Sequence, residues 1–512
     1  MSTPENDPLH AKLQEFLRRN LEPGSGFTPQ VEQPAPPEKA ESPKPKPVFD
    51  FDLMPRQVKE HLDRFVIKQD EAKKVLAITV CDHYHHVRAV VEGKAVSNYN
   101  KQNVLVMGPT GVGKTYLVKC LAELIGVPMV RADATKFTET GYVGGDVEDL
   151  VRDLVTQAEG DKEIAQYGII YLDEVDKLAS ASSGTGRDVS GRGVQTNLLK
   201  LMEETEVPLR SQTDLQSQLQ AAMEFQKRGG KVKKETINTR HILFIVSGAF
   251  DKLPEIVKRR LSQSEIGFAA TARKERKTEE VLAEVSTRDL VDYGMEPEFV
   301  GRLPVRVACS ALGVDDLFAI LKQSEGSLVH QYEEAFHAYG IEVMFTDDGL
   351  RAIAKLAAEE QTGARGLVTV AERALRPFKF ELPGSGVRRF VVHEALVRDP
   401  EAELRRILSD GRYEERLVLS EMAKQFAARF EEKHALRLEL APDAIEALVE
   451  GALQSGRNMR DHCSVVFKDF EFGLKLVAKN SGQTTFAIDR SVIDSPDQTM
   501  SRWVVNSYQS TG

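Results

Sequence analysis

GPTGVGKT, residues 108–115, follows the short apolar run NVLVMG (103–108) and opens a helical pattern that continues from Tyr116 to Ile125. The spacing meets G-x-x-x-x-G-K-[ST], and the strand before it and helix after it are the context that gives this pattern meaning. Gly108, Gly111 and Gly113 let the backbone curl around Pro109, Thr110 and Val112, so that the loop's amides and the helix N-terminus face phosphate oxygens. Lys114 then reaches the β and γ phosphates of a nucleoside triphosphate, and Thr115 offers its hydroxyl to Mg²⁺.

Working outward, GIIYLDE (168–174) and HILFIVSG (241–248) are short, rich in β-branched residues and bounded by polar or turn residues. Such runs are buried parallel strands, and their alternation with longer helical segments predicts an α/β sheet with crossover helices. The first of them closes on two carboxylates at a suitable distance from the phosphate loop. Asp173 is expected to hold Mg²⁺ through its water, and Glu174 to orient and deprotonate the water that attacks the γ-phosphate. Ser247, at the end of the second run, is a candidate polar sensor near that phosphate.

The 512 residues carry a net charge of −10, and 41% are apolar. Three domains of ordinary size fit that length, and the acidic balance argues against a nucleic-acid binder. Cys81, Cys120, Cys309 and Cys463 stand far apart, which supports neither a zinc ribbon nor a disulfide framework and suits a reducing cytoplasm. No export signal or membrane-spanning run is read. Leu9, Leu13, Phe16, Leu17 and Leu21 fit a short amphipathic helix, and eight prolines between Pro23 and Pro47 mark a tether.

Beyond residue 312 strands become scarce and helices dominate to about residue 400. Sliding the chain on itself by 95 positions aligns AIAKLAAEEQTGARGL (352–367) with ALVEGALQSGRNMRDH (447–462). One residue further out of step, FVVHEALVRDP (390–400) matches FAIDRSVIDSP (486–496). The expected organisation is therefore a helix and tether at 1–50, a large α/β ATPase domain at 51–312, a small helical domain at 313–402, and a degenerate copy of the small domain at 403–512.

GPTGVGKT, ADATKFTETGYVGGDVEDLV (132–151), IIYLDEVDKLA (169–179), RDVSGRGVQTNLLKLME (187–203), ILFIVSGAFDKL (242–253), MEPEFVGRLPV (295–305) and TGARGL (362–367) together resemble the ClpX family of AAA+ unfoldases. The resemblance runs from about Pro55 to Pro400. It implies an AAA+ P-loop NTPase with a helical lid, assembled as a homo-hexamer that uses ATP and Mg²⁺ to pull protein substrates through a pore toward a ClpP-type peptidase. By this resemblance Tyr142 and Val143 grip the substrate in the pore, and Arg302 is the arginine finger supplied to the neighbouring subunit. Arg365 is the sensor-2 arginine of the small domain. Val66 and Ile67 match the adenine-contacting box, although Lys68 stands where the family has glycine. Ile266, Gly267 and Phe268 match the tripeptide that docks on the peptidase.

The count and spacing of the cysteines do not match the four-cysteine zinc domain with which the family usually begins, and the C-terminal repeat lies outside the family pattern, which suggests an adaptor-binding or ring-decorating role. A stand-alone protein-remodelling chaperone is the alternative reading. No nucleophile motif such as G-x-S-x-G stands out, so proteolysis is expected only from a partner.

Overall fold

The computed structural model describes residues 51–94, 100–138, 145–179, 189–209, 235–264, 277–410 and 412–509. The expected N-terminal helix and tether, the pore residues Tyr142 and Val143, and the docking residues Ile266, Gly267 and Phe268 lie outside them.

Among the described residues, seven strands occur before residue 310: β1 (Val104–Met107), β2 (Met129–Asp133), β3 (Ile169–Asp173), β4 (Glu206–Pro208), β5 (Thr236–Asn238), β6 (Leu243–Gly248) and β7 (Val305–Ala308). Five of them form one parallel sheet in the order β2-β3-β6-β1-β7, while β4 and β5 make a small antiparallel ribbon. Ile169, Ile170, Tyr171 and Leu172 are all fully buried. This burial on both faces is what an apolar run in a helix-covered parallel sheet requires. The register pairs Val104 with both Ile245 and Val305, and Asp133 with Asp173. It brings Met107, Asp173 and Gly248 to the carboxyl edge, where open α/β sheets bind ligands.

A second core gathers around the parallel pair β8 (Glu342–Phe345) and β9 (Arg389–Val392). Helices Val314–Gln323, Leu328–His337, Asp347–Glu359, Ala364–Glu381, Glu394–Arg398 and Pro400–Ser409 surround it. After a long helix, Tyr413–His434, a third core forms around β10 (Arg437–Leu440) and β11 (Thr485–Ile488), again parallel.

The two helical cores share their order of elements. β10 and helix Pro442–Ser455 begin 95 residues after β8 and helix Asp347–Glu359, while β11 and helices Arg490–Asp494 and Pro496–Gln509 begin 96 residues after their counterparts. The helix Ala364–Glu381 of the first copy is replaced by two, Met459–Val466 and Phe470–Ser481. The helix Pro400–Ser409 runs across the expected division at 402/403. Pro400 starts that helix, since a missing N–H at the first position is one that would have no intrahelical partner anyway. Leu404 and Ile407 of that helix belong to the same core as Leu396 and Phe390, and Tyr413 packs against it as well.

Candidate nucleotide site

Glycine shapes the phosphate loop. Gly111 and Gly113 adopt φ of +76° and +95°, and the helix Lys114–Ile125 starts directly after Gly113. A Cβ at Gly111 would lie 2.0 Å from the Thr362 carbonyl oxygen, and one at Gly363 would lie 2.6 Å from the Gly111 oxygen. The Ala364 amide donates to that same Gly111 oxygen at 2.8 Å. The tip of the loop therefore rests backbone to backbone on the turn that begins the helix carrying Arg365.

The Lys114 ammonium folds back onto the loop, donating to the carbonyls of Gly108 (2.6 Å) and Pro109 (2.8 Å). Burial lowers its pKa from the ordinary lysine value, so an anion arriving at the loop gives this cation a better partner than two carbonyls do.

Behind the loop, four side chains close a ring of hydrogen bonds. Thr115 Oγ1 donates to Asp173 Oδ2 at 3.2 Å, and Ser247 Oγ donates to Asp173 Oδ1 at 2.7 Å. The Tyr171 hydroxyl joins Ser247 (2.7 Å) to Thr115 (3.2 Å). Burial pushes the Tyr171 phenol up to about 12, which keeps it protonated. The ring aims one hydroxyl and one carboxylate at a common point, the hard oxygen donors that magnesium takes.

Glu174 sits just past the strand in the left-handed region at φ +58°, its amide bonded to Asp173 Oδ1 at 3.1 Å. A non-glycine residue held there costs about 1–2 kcal/mol and is a mark of functional sites. The side chain of Glu174 is exposed on the wall of the cavity.

That cavity, about 570 Å³, brings together most of the expected residues: Val66 and Ile67 on one side, Thr110 to Thr115 on the floor, Asp173 and Glu174 opposite, and Arg365 from the helical core. Ser247 is fully buried and reaches the site only through Asp173 and Tyr171. Arg302 does not line it. Its guanidinium pairs with Glu203, and its side chain is 53% exposed on the outer surface. The glycine cradle, the half-buried ammonium and the Thr115–Asp173 oxygens fit a nucleoside triphosphate with magnesium.

Several contributors escaped the sequence reading. Tyr171 is one, although a phenol two residues before Asp173 in an otherwise apolar strand lies on the same face and was a usable signal. Arg131 is another: it lines the cavity, 3.6 Å from Asp173. No local pattern singles it out.

The cavity's surroundings include a turn, residues 64–69, in which Lys68 and Gln69 both take positive φ, +62° and +59°. The Gln69 side chain, 3% exposed, exchanges two hydrogen bonds with the backbone of Ser310, at 2.8 and 2.7 Å.

Residues 99–306 match the family described as AAA domain (Cdc48 subfamily). The chain is 42% identical over 339 residues to the ATP-dependent Clp protease ATP-binding subunit ClpX of Borrelia duttonii (strain Ly), an alignment covering 65% of this chain and 75% of the relative. Against ClpX 3 of Methylococcus capsulatus it is 41% identical over 353 residues, 66% of this chain and 79% of that one. Against ClpX of Treponema denticola the identity is 38% over 349 residues, covering 67% and 81%.

Proposed function

Since the chain belongs to the ClpX family of AAA+ ATPases, we propose that it is the unfolding motor of a two-part protease, a homo-hexameric ring that threads protein substrates through its pore into a ClpP-type peptidase. The observation that carries this reading is the different placement of two arginines. Arg365 lines the cavity of its own chain, whereas Arg302 stands outside it, paired with Glu203. A cation held ready on the surface suits a neighbour's active site, and hydrolysis then depends on ring assembly.

In this mechanism Lys114 leaves the carbonyls of Gly108 and Pro109 for the β and γ phosphates. Thr115, and Asp173 through a water, would hold the metal, their oxygens kept in place by Ser247 and Tyr171. Magnesium bound there supplies charge neutralisation on the phosphates. Glu174 takes a proton from the attacking water, and Arg302 of the adjacent subunit meets the charge that develops on the γ-phosphate. Val66 and Ile67 cover the base. Arg365 reports the state of the nucleotide to the helical core. Tyr142 and Val143 grip the substrate, and Ile266, Gly267 and Phe268 dock on the peptidase. The C-terminal copy serves as an adaptor-binding or ring-decorating element.

Two measurements test this. Glu174→Gln is expected to bind ATP while turning over about 10²- to 10⁴-fold more slowly; unchanged turnover removes Glu174 from the mechanism. ATP-dependent co-assembly with the host's ClpP peptidase is expected for the wild type and not for Phe268→Ala. Binding by neither protein replaces this reading with a free-standing remodeller.

A further inference from the structure

The turn at 64–69 is bonded to both ends of one helix of the second core. At the carboxyl end of helix Val314–Gln323, the Glu325 amide donates to the Arg64 carbonyl (2.9 Å), Ser324 Oγ donates to the Phe65 carbonyl (2.5 Å), and the Arg64 guanidinium meets both oxygens of Glu325 (2.8 and 2.7 Å). At the amino end, Lys68 Nζ donates to the Ala311 carbonyl (2.7 Å) and to Asp316 Oδ2 (2.8 Å). Asp316 Oδ2 also accepts the Gly313 amide at 2.8 Å, so one carboxylate both caps the helix and receives the lysine. Between Gly313 and β7 runs the connection joining the two cores, and Gln69 holds it at Ser310.

We propose that Lys68 is a positioning residue that latches the helical core to the nucleotide-binding turn, setting the cavity's affinity for ATP through Val66 and Ile67. The glycine that the family places here has no side chain with which to make the bond. Lysine accepts the same left-handed backbone and adds a cation that reaches across the connection. The ion pair is partly shielded, with side-chain exposures of 34% and 26%. Because Val66 and Ile67 immediately precede Lys68 and line the cavity, the angle between the cores and the shape of the base pocket change together. A released latch widens the pocket at Val66 and Ile67, on the side away from the strand end that carries Glu174.

This inference rests on the nucleotide reading, and its test separates the two. ATP affinity and steady-state turnover are measured for the wild type, Lys68→Met, Asp316→Asn, the double variant, and the exchanged pair Lys68→Asp with Asp316→Lys. Failure of the wild type to bind ATP overturns the nucleotide reading itself. With wild-type binding in hand, the latch predicts that each single variant weakens ATP binding and raises KM by about 3- to 10-fold, with kcat changed less. The double variant is expected to be no worse than either single one, and the exchanged pair to recover part of the affinity. Lys68→Arg, which keeps the cation, is expected to stay near wild type. Wild-type KM in both single variants overturns the latch, as do strictly additive losses or a fall in kcat alone.

Discussion

Replacing Ser247 by alanine removes one hydroxyl from a fully buried position and opens the ring behind the phosphate loop at two of its four edges. The edge to Asp173, at 2.7 Å, is a bond to a carboxylate, and the edge to Tyr171, at 2.7 Å, joins two neutral hydroxyls. A hydrogen bond to a charged group contributes about 1.5–3 kcal/mol and a neutral one about 1 kcal/mol. Asp173 Oδ1 keeps only the Glu174 amide at 3.1 Å, and the tyrosine keeps only Thr115 at 3.2 Å. Of the combined loss, the carboxylate's share falls on the positioning of the metal ligand, about 1.4–2.8 kcal/mol, or about 10- to 100-fold in kcat/KM. The assay is steady-state ATP turnover across magnesium concentrations, with thermal unfolding followed on the same samples. Tyr171→Phe is the comparison: it leaves the Ser247–Asp173 bond intact and is expected to cost less. The double variant is expected to cost less than the sum of the two single ones, because they share an edge. Wild-type turnover and magnesium dependence in Ser247→Ala, with only a lowered melting temperature, refutes the argument that this ring serves catalysis.

Gly111→Ala puts a Cβ 2.0 Å from the Thr362 oxygen at a φ of +76°, so the loop and the 362–364 turn must separate; ATP binding is expected to fall by at least about 10-fold, as read by titration with a fluorescent analogue. Glu414, only 8% exposed, has its carboxyl pushed up to about 8, mainly by burial, with the Val391 amide opposing and the Glu403 carboxylate adding to the rise. Its folded pKa lies above the unfolded one, so the folded state binds the extra proton and stability falls as pH climbs from about 4.5 to about 8. Glu414→Gln is therefore expected to gain stability over the wild type across that range, by a few kcal/mol at its upper end, in denaturant unfolding; parallel pH profiles contradict it. Deleting 413–512 removes the third core together with the helix Tyr413–His434, whose first residue packs on the second core, and is expected to leave ATP turnover near the full-length value while changing which substrates are processed; loss of soluble assembly in gel filtration would assign the segment a structural role.

The parts of this molecule that were readable from sequence are those whose chemistry is local. The phosphate loop, the acidic strand end and the parallel strands each announce themselves within eight residues, because glycine spacing and apolar runs are set by the backbone beside them. The repeat was legible for a related reason: two copies of one core need apolar residues at the same intervals, and a shift of 95 residues superposes them. Where the first copy ends is not written locally, because the burial of Leu404 and Ile407 in its core depends on residues far away. Distance along the chain also hid Lys68. Its departure from the family glycine was visible, but Ala311 and Asp316 stand 243 and 248 residues downstream. Ser247 was noticed as a polar end to a strand and assigned to the phosphate; its partners prove to be a carboxylate and a phenol on the neighbouring strand.

The contact of Gly111 with Thr362 and Gly363 has a mechanical side. Side chains that touch can yield by changing rotamer, and a core packed through them has that much give. Two backbones pressed together have no such reserve. A shift of a few tenths of an ångström at the tip of the phosphate loop must reappear at the start of helix Ala364–Glu381. That helix has 18 residues and is about 27 Å long, so each degree of tilt at its start carries its far end through about 0.5 Å. Near that end stands Phe380, a ring 81% exposed to solvent. The glycine at the fulcrum thus makes the helix a lever, with a backbone contact at one end, Pro377 near the other, and a bare aromatic surface beyond it.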